Sequence, residues 1–406
     1  AMIDAIPATL TPTMAARESL DGLVIGGGPA WAAAALRLAR LGWRVLLVDR
    51  SAFPRPKVCG CCLSAAALAE LAALDLPVGT LPQPVPLDAV RLVAAGREAR
   101  IVMPAGATLS REALDTGLVT AAIAAGAAWL PELAVTAIDV AGDGIATVEA
   151  RPAGAGPIRL HARVVVIAAG LTDALRVTRS TAAPAVRAPR RPQRKAATRR
   201  IGVGATLPAD ATGIPAGELV MAVGRQGYVG LVRLEDGRID VAAAVAPTAV
   251  AAVGSPAAAI GGILTDAFGP EQGPVPAAML HDAHVRATPP LTHRSPLTAG
   301  GCDAVVRIGD AAAYVEPFTG EGIGWALASA RVFADAAAAT ACPAACAARY
   351  QSDHSRLFTR QHARCLGVAR AVRHPRLLAG AVQIARVAPR VAAGVLPWLV
   401  GAGRLP

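Results

Sequence analysis

The chain has 406 residues, a hydrophobic fraction of 54%, a charged fraction of 17% and a formal net charge of +11. A chain of this length can form two domains with a large core. Although the charge is strongly positive, aromatic residues make up only 3% and no recognition motif is present, which argues against nucleic-acid binding. The seven cysteines show no spacing typical of a disulfide framework, so we expect a reducing, cytoplasmic location, without a signal peptide or a membrane-spanning helix.

The first predicted element is an apolar strand at residues 23–25, which runs into a glycine-rich turn and an alanine-rich helix. Glycine permits the sharp turn and lets a pyrophosphate approach the first backbone N–H groups of the helix. The next predicted strand, at residues 43–48, ends in a carboxylate roughly 20 residues after the turn, the spacing at which such a group binds a ribose hydroxyl. These features predict a dinucleotide site, with an ordinary βαβ unit as the alternative. Its residues are Gly26, Gly28, Pro29, Ala30, Trp31, Asp49 and Arg50.

Trp31 conflicts with this interpretation, because it occupies the position of the third glycine of the fingerprint. That glycine lets the helix pack closely on the strand, where there is little room for a side chain. We therefore expect the indole either to push the helix away from the sheet or to swing toward the space of the bound nucleotide. On this interpretation the dinucleotide is bound weakly, and Trp31→Gly would increase its binding.

Three cysteines follow at positions 59, 61 and 62, after a Phe-Pro-Arg-Pro-Lys-Val segment. No zinc-type spacing matches and no histidine lies nearby, so we predict no metal site. Two interpretations of Cys59 stay open, a functional thiol or a small residue that lines a pocket.

The predicted strands separate into two sheets. Residues 134–150 predict a β-meander beside the first sheet, and strand-like runs at residues 89–103, 218–223, 228–233 and 239–245 predict a second, antiparallel sheet. A Glu-Asp-Gly turn at residues 235–237 joins the last two runs. We expect the second sheet to cover a bound cofactor and to carry the substrate. Tyr228 is a pocket candidate on it, or a half-buried strand tyrosine.

Two segments are unusually basic: residues 187–200 carry seven basic residues and no acid, and residues 367–406 carry arginines and no acid. The first predicts a solvated crossing between domains, with a binding site for the 2′-phosphate of NADPH or for anionic lipid as the alternative. The second predicts a helix pair packed on the first domain. Its alternative is peripheral membrane contact, or a lid over a lipophilic substrate.

The second glycine-rich stretch spans residues 309–323 and follows a predicted buried strand at residues 304–308. The Asp310 carboxylate at the end of this strand can reach a ribose or ribityl hydroxyl. The following turn opens a helix, whose first N–H groups can hold the electron-rich edge of a reduced isoalloxazine ring. Together the two stretches indicate a flavin adenine dinucleotide (FAD) site. Glu316 and Glu321 are candidates for a role at this site, and the alternative is that they cap the helix and are solvated. For Glu321 we weigh a catalytic role and this alternative equally.

The chain resembles the FAD-dependent oxidoreductases that include geranylgeranyl reductases, para-hydroxybenzoate-hydroxylase-type monooxygenases and flavin halogenases. The resemblance covers roughly residues 20–340 and rests on the first glycine turn and on residues 53–60, 110–115 and 309–322. It implies an α/β fold with a Rossmann-like FAD-binding domain (parallel sheet plus β-meander), an antiparallel-sheet substrate domain and a C-terminal helical segment. The implied boundaries are 1–20 for an N-terminal extension, 21–80, 105–180 and 295–340 for the FAD-binding domain, 81–104 and 181–294 for the substrate domain, and 341–406 for C-terminal helices.

The resemblance also implies the other site residues. The Lys-x-Cys-Gly segment and the Thr-Gly-Glu-Gly turn are closer to the geranylgeranyl reductase branch. Ala169 and Ala313 stand where relatives usually carry aspartate and glycine, and Gly230 stands at a usually aromatic position, which would widen the pocket. Besides the first turn, the implied cofactor site comprises Lys57, Cys59, Gly60, Arg111, Gly170, Gly309, Asp310, Pro317, Gly320, Glu321, Gly322 and Ile323.

The sequence therefore predicts an FAD-dependent, NAD(P)H-driven oxidoreductase that acts on a hydrophobic small molecule of polyketide, phenolic-lipid or isoprenoid type. Monooxygenation is slightly favoured because more of the superfamily performs it, whereas the local motifs favour reduction of a carbon–carbon double bond. A third alternative is a non-catalytic binding protein, should Trp31 block the dinucleotide. His281, His284 and His293 are interpreted as loop or surface residues, and no acid–base residue is assigned.

Overall fold

A computed structural model describes residues 4–103, 105–172, 175–179, 199–210, 213–270, 272–299, 302–340 and 342–388. Most of the basic segment at residues 187–200 and the tail from residue 389 lie outside these ranges. Both interpretations of the residues outside these ranges, and the domain boundaries, stay predictions, whereas Arg200 is described and is buried (6% exposed), not solvated.

Runs of consecutive strands, separated by one to three helices, make up most of the described chain. In chain order, the helices are α1 Pro12–Ala15, α2 Pro29–Arg40, α3 Ala65–Ala72, α4 Arg111–Ala124, α5 Pro247–Val253, α6 Pro256–Phe268, α7 Ala277–Asp282, α8 Gly322–Ala338, α9 Pro343–Ala371 and α10 Pro375–Val387. The first strands are β1 Ser19–Gly26, β2 Val45–Val48, β3 Cys62–Ser64, β4 Val85–Pro86, β5 Ala89–Ala94, β6 Arg97–Val102, β7 Gly106–Thr108, β8 Ala128–Leu130, β9 Leu133–Val140, β10 Ala146–Pro152 and β11 Ile158–Ala168. The others are β12 Arg176–Arg179, β13 Ile201–Leu207, β14 Glu218–Gly224, β15 Gly227–Arg233, β16 Ile239–Val245, β17 Arg286–Pro290, β18 His293–Arg294, β19 Thr298–Ala299, β20 Cys302–Arg307 and β21 Ala313–Tyr314.

The larger sheet has a parallel core with the strand order β8–β2–β1–β11–β20. Strands in such a core are covered on both faces, which is why β2 is an uninterrupted apolar run, Val-Leu-Leu-Val, with every residue buried. β9 and β10 form an antiparallel meander with the first half of β11. The predicted parallel sheet with a meander is confirmed, and the third strand of the meander is the long β11, which continues into the parallel core.

The smaller sheet has the strand order β17–β13–β16–β15–β14–β5–β6. All four predicted strand runs lie in it, and the turn at residues 235–237 joins β15 to β16, with Gly237 at φ +85°. One pair departs from the prediction: β14 runs parallel to β5, because the chain passes through the larger sheet between them. β13 and β17 were not predicted, since the two glycines in Ile-Gly-Val-Gly-Ala-Thr-Leu weaken the strand signal of β13.

Helices α2, α4 and α8 bury their apolar faces against the parallel core. α2 starts with Pro29, whose missing N–H costs nothing in the first turn of a helix. α4 is capped by Ser110, whose Oγ accepts from the Ala113 N–H (3.1 Å) and donates to Glu235 Oε1 (2.6 Å). The start of α4 is thereby fixed to the β15–β16 turn of the smaller sheet.

The C-terminal helices divide between the two sheets. Tyr350 and other residues of the first part of α9 join the core around α2, α4 and α8, but they precede the tail at residues 367–406 to which the prediction applies. α10 instead packs Val382 and Ala385 on Val90 and Ile101 of the smaller sheet, which corrects the prediction that the whole pair covers the first domain. Among the described residues no single helix has the length and apolarity to cross a bilayer, and the bent pair α5–α6 passes that test by length and composition only.

Trp31 does not swing toward the space of the bound nucleotide, which is one of the two positions expected for it. Its indole is fully buried (0% exposed) between the rings of Phe53 and Trp129, with centroid distances of 5.7 and 5.3 Å. The indole Nε1 donates to the Val24 carbonyl of β1 (2.9 Å). The side chain is therefore part of the core beside β8, and it stays clear of the cavity described below.

Candidate active site

A cavity of about 1060 Å³ lies between the carboxyl ends of β1, β2 and β11, the inner face of the smaller sheet, and α10. Ligands of open α/β sheets bind at such carboxyl ends. Most of the predicted site residues line this cavity. Those that line it are Gly26, Gly28, Pro29, Ala30, Asp49, Arg50, Lys57, Cys59, Gly60, Arg111, Gly170, Tyr228, Asp310, Pro317, Gly320, Gly322 and Ile323.

Three predicted cofactor residues do not line this cavity: Trp31, Gly309 and Glu321. The two glycine-rich stretches are in contact at Gly309, which has φ +56°. A Cβ at this position would lie only 2.8 Å from the Cβ of Ala30 in the first stretch. The Gly309 N–H donates to Ser329 Oγ (3.0 Å), which holds this glycine against α8. Its role in the structure is to bring the two stretches together.

The first turn is as closely packed as its glycines suggest. A Cβ on Gly26 would clash with the Ala168 carbonyl of β11, and one on Gly27 would clash with the side chains of Asp49 and Arg55. The Asp49 carboxylate already accepts from the Ser51 N–H (2.8 Å) and from Arg55 Nη2 (3.1 Å). The Arg55 contact was not predicted.

One wall of the cavity is cationic. The Lys57 Nζ donates to the Gly27 carbonyl (2.7 Å), and Arg111 Nη2 binds Asp115 (2.7 Å) one turn along α4. A Cβ on Gly28 would lie 3.4 Å from Lys57 Nζ and 3.5 Å from Arg111 Nη2, so both cations face the glycine turn. Burial, together with the nearby Arg111 charge, lowers the pKa of Lys57 to about 8.

Two helix starts, those of α2 and α8, open onto the same cavity through Ala30 and Ile323. The first N–H groups of a helix have no partner within the helix and carry the positive end of its dipole. Combined with the cationic wall and the closely packed glycines, these ends suit an anionic dinucleotide with a flavin ring. The residues present therefore fit FAD: the α2 end, Lys57 and Arg111 would hold the pyrophosphate, and the α8 end the ring.

Two carboxyl groups near the start of α8 have raised pKa values. Burial raises the pKa of Asp310 to about 6, against the nearby charges of Arg111 and Lys57. Burial also raises the pKa of Glu321 to about 7. Glu321 occupies the N-cap position without a capping hydrogen bond, and Ser64 Oγ donates to its Oε2 (3.3 Å). The interpretation of Glu321 as a solvated helix cap is therefore wrong.

Glu316 is also not solvated: it is 1% exposed and holds two arginines. Its Oε1 accepts from Arg200 Nη1 (2.7 Å) and its Oε2 from Arg373 Nη2 (2.8 Å). Arg200 precedes β13 and lies over the ring of Tyr228 (5.5 Å), and Arg373 lies at the α9–α10 turn. No sequence signal connects these residues, which are separated by 116 and 57 positions, so the cluster was missed.

The side of the cavity formed by the smaller sheet and α10, called the apolar arm, is lined mainly by apolar side chains, and Tyr228 of β15 also lines the cavity. Its ring packs edge-on against Phe318 (5.0 Å), and its buried hydroxyl has no hydrogen-bond partner within the described ranges. A Cβ on Gly230 would lie 3.2 Å from Met221 Sδ, so an aromatic side chain there would need space that the cavity now occupies. The arm is lined by Leu92, Ile101, Leu219, Met221, Leu378 and Ile384. None of the three predicted surface histidines lines the cavity.

The sequence and the structure of the chain were compared with those of known proteins. No protein-family model matches the chain. It is 48% identical over 63 residues to a menaquinone reductase of Mycobacterium tuberculosis, and 48% identical over 56 residues to one of Mycolicibacterium smegmatis. The first match covers 16% of this chain and 15% of the relative, and the second 14% of each, so only about one seventh of these relatives is matched.

Solved structures match over nearly the whole chain. A geranylgeranyl bacteriochlorophyll reductase-like protein from Thermoplasma acidophilum gives a TM-score of 0.69 at 17% identity, covering 93% of this chain and 98% of that one. A myxobacterial chondrochloren halogenase, described as a variant of FAD-dependent halogenases, gives 0.67 at 19% identity, covering 85% and 81%. The chain thus has the fold of the FAD-dependent oxidoreductase superfamily, as its motifs predicted.

Proposed function

We propose that the chain is an FAD-dependent oxidoreductase that uses NAD(P)H to reduce a carbon–carbon double bond of a lipophilic, isoprenoid-type small molecule. The observation that carries the proposal is the cavity, in which a cationic, glycine-lined end meets an apolar arm. FAD, when bound, supplies the hydride. The partial identity to menaquinone reductases and the likeness to a geranylgeranyl reductase-like structure support reduction over the monooxygenation that superfamily frequencies favour.

We assign different roles to the residues that line different sides of the cavity. Lys57, Arg111 and the α2 start bind the anionic part of the cofactor, and the α8 start faces its ring. The apolar arm orients a lipophilic chain and excludes water from it. The Tyr228 hydroxyl, which is buried without a partner among the described residues, would bind a polar group of the substrate.

Product analysis under air and under strict anaerobiosis tests the proposal. We expect menaquinone, incubated with FAD-loaded protein and NADH or NADPH, to gain two hydrogen atoms on its isoprenoid side chain without any need for oxygen. This gain should persist after the product is reoxidised in air, which removes the two hydrogen atoms that a reduced quinone ring carries. A product that carries an added oxygen atom and forms only under air would instead support the monooxygenase, which the dry apolar arm also suits. The third alternative, a non-catalytic binding protein, rested on Trp31, which the structure places outside the cavity; a colourless protein that does not take up added FAD would restore it.

Asp310→Asn is expected to change cofactor binding and stability in opposite directions. Loss of the charged acceptor should weaken FAD binding by about 1.5–3 kcal/mol. The FAD-free variant should be more stable than the wild type at about pH 8, because burial raises the pKa of Asp310 to about 6 and its charge then destabilises the fold. This advantage should shrink as the pH falls through 6 and the wild-type carboxyl becomes neutral. Flavin titration and thermal unfolding measure the two effects, and unchanged FAD affinity would show that Asp310 lies outside the cofactor site.

We further propose that α10 contacts anionic membranes and that substrate reaches the cavity beside it. Ile384 lines the cavity yet is 58% exposed, and Val387 is 70% exposed one turn away, beside exposed Arg386. Replacing both apolar residues with glutamate should weaken binding to phosphatidylglycerol vesicles about tenfold or more in a flotation assay. Val253→Glu in α5, at a site 51% exposed, is the matched control and should bind like the wild type. Equal binding by all three proteins would remove the proposal.

A further inference from the structure

Cys59 and Cys61 form a close pair of thiols at the edge of the cavity. Cys59 lines the cavity, and Cys61 is 3% exposed in a small apolar cluster against which Cys59 packs. The Cys61 carbonyl accepts from the Leu109 N–H (3.0 Å), which fixes the loop. Cys61 has φ +50°, a left-handed conformation that is strained for any residue with a side chain. The loop therefore holds a thiol where glycine would be less strained.

The two thiols differ in charge. A hydrogen bond from the Cys61 thiol lowers the pKa of Cys59 to about 5, against the effect of burial, and Arg111 lowers it further. The same hydrogen bond and burial raise the pKa of Cys61. At neutral pH the pair is thus one thiolate and one thiol in contact, and the thiolate is the nucleophilic form of cysteine.

Asp240 lies behind Cys61, on β16 of the smaller sheet. Its side chain is 6% exposed, and one oxygen, Oδ2, has no hydrogen-bond partner in the part of the chain that the structure describes. The Cys61 thiol lies within hydrogen-bond reach of this carboxyl as well as of Cys59, and its one proton can be donated to only one of them at a time. Burial and the Cys59 charge raise its pKa well above the usual range. The titratable groups that act on the pair include Arg111 from α4, Asp240 from β16 and Asp310 from the second glycine-rich stretch, and Glu112 and Arg238 act on Asp240 in turn. An acid–base group thus contacts the second thiol.

We propose that Cys59 and Cys61 are a redox-active pair, which a hydroperoxide converts into an intramolecular disulfide. The Cys59 thiolate attacks the terminal peroxide oxygen and breaks the O–O bond, forming a sulfenic acid and releasing hydroxide from hydrogen peroxide, or an alkoxide from an organic hydroperoxide. The Cys61 sulfur then attacks the Cys59 sulfur, and its thiol proton leaves with the sulfenic hydroxyl as water. Two electrons pass from the two sulfurs to the two peroxide oxygens, and Asp240 is placed to relay the Cys61 proton.

This inference does not depend on the proposed reductase activity, since it requires only the two thiols and the oxidant. Oxidation would remove the thiolate from the cavity wall beside Arg111. A metal is not favoured at the cluster, because within the described ranges no group of three or more His, Cys, Asp or Glu side chains could hold a metal ion.

Cys62 provides a matched control within the same loop. It also lines the cavity, but its thiol donates to the Gly60 carbonyl (3.0 Å), and burial raises its pKa. It is therefore held as a neutral thiol, which reacts slowly with electrophiles.

The test uses the full-length protein, reduced, freed of reductant and treated with a small excess of hydrogen peroxide. Peptide mass spectrometry should show a Cys59–Cys61 disulfide that dithiothreitol reverses, in the wild type and in Cys62→Ser. Cys61→Ser should instead accumulate dimedone-reactive sulfenic acid at Cys59. Cys61→Gly, which suits the positive φ, guards against a folding defect and should behave in the same way.

Alkylation rates supply a second readout. At about pH 7 an ordinary thiol is only a few per cent ionised, so Cys59 should react with iodoacetamide about tenfold faster than Cys62. A bridge to Cys62, a stable sulfenic acid at Cys59 in the wild type, or no reaction with peroxide would each overturn the proposal.

Discussion

Trp31→Ala is expected to lower the free energy of unfolding by about 3–5 kcal/mol, because it leaves a large cavity between Phe53 and Trp129. It also leaves the Val24 carbonyl without its indole donor. Trp31→Phe keeps a ring in the cluster and removes only the N–H, so we expect a smaller loss of about 1–3 kcal/mol. Urea unfolding followed by circular dichroism measures both variants without relying on tryptophan fluorescence.

The same variants test the interpretation that Trp31 hinders the dinucleotide. Since the indole lies in the core and not in the cavity, Trp31→Gly should bind FAD no better than the wild type while losing stability. A glycine variant with higher FAD occupancy and unchanged stability would contradict the structure and support the expectation drawn from the fingerprint.

Arg200→Met should destabilise the protein by about 3–5 kcal/mol, because it removes one partner of a buried ion pair. Arg200 and Glu316 are 7% and 1% exposed, and the carboxylate would keep only the half-exposed Arg373. Arg200→Met combined with Glu316→Gln should recover part of the loss, since no uncompensated charge then stays buried. Thermal and urea unfolding of the three proteins measure the coupling.

The surface pair Arg225–Asp266 is the control for this prediction. Its N–O distance is 3.1 Å, but the arginine is 80% exposed, and exposed pairs contribute only about 0–1 kcal/mol. Arg225→Met should therefore change stability little. Similar losses from Arg200→Met and Arg225→Met would show that the Glu316 cluster is not a buried charge site.

The parts of the fold that local patterns encode were predictable. Two glycine-rich stretches, each after an apolar run, indicated the parallel core, and period-two runs indicated most of the smaller sheet. β13 was missed because its glycines lower its strand propensity. In the structure it pairs with β16 on one side and β17 on the other, and this pairing offsets the low propensity.

The errors at the site came from interactions between distant segments. Trp31 looked misplaced because the fingerprint describes helix–strand packing alone, whereas Phe53 and Trp129 supply a space for it. Glu316 looked like a solvated residue near a helix start, because nothing local indicates that Arg200 and Arg373 meet it. Such contacts are fixed by tertiary packing, so a single sequence cannot show them.

The arrangement of β11 has a consequence for synthesis on the ribosome. One edge of this strand pairs with β10 in its first half and with β20 in its second half, and β20 begins only at Cys302. At ordinary elongation rates, on the order of ten seconds pass between completion of β11 and emergence of its partner. During that time the apolar edge at residues 165–167 is open to pairing with other chains. Nascent chains that stall between these strands therefore expose an apolar strand edge to aggregation, which a chaperone would have to cover.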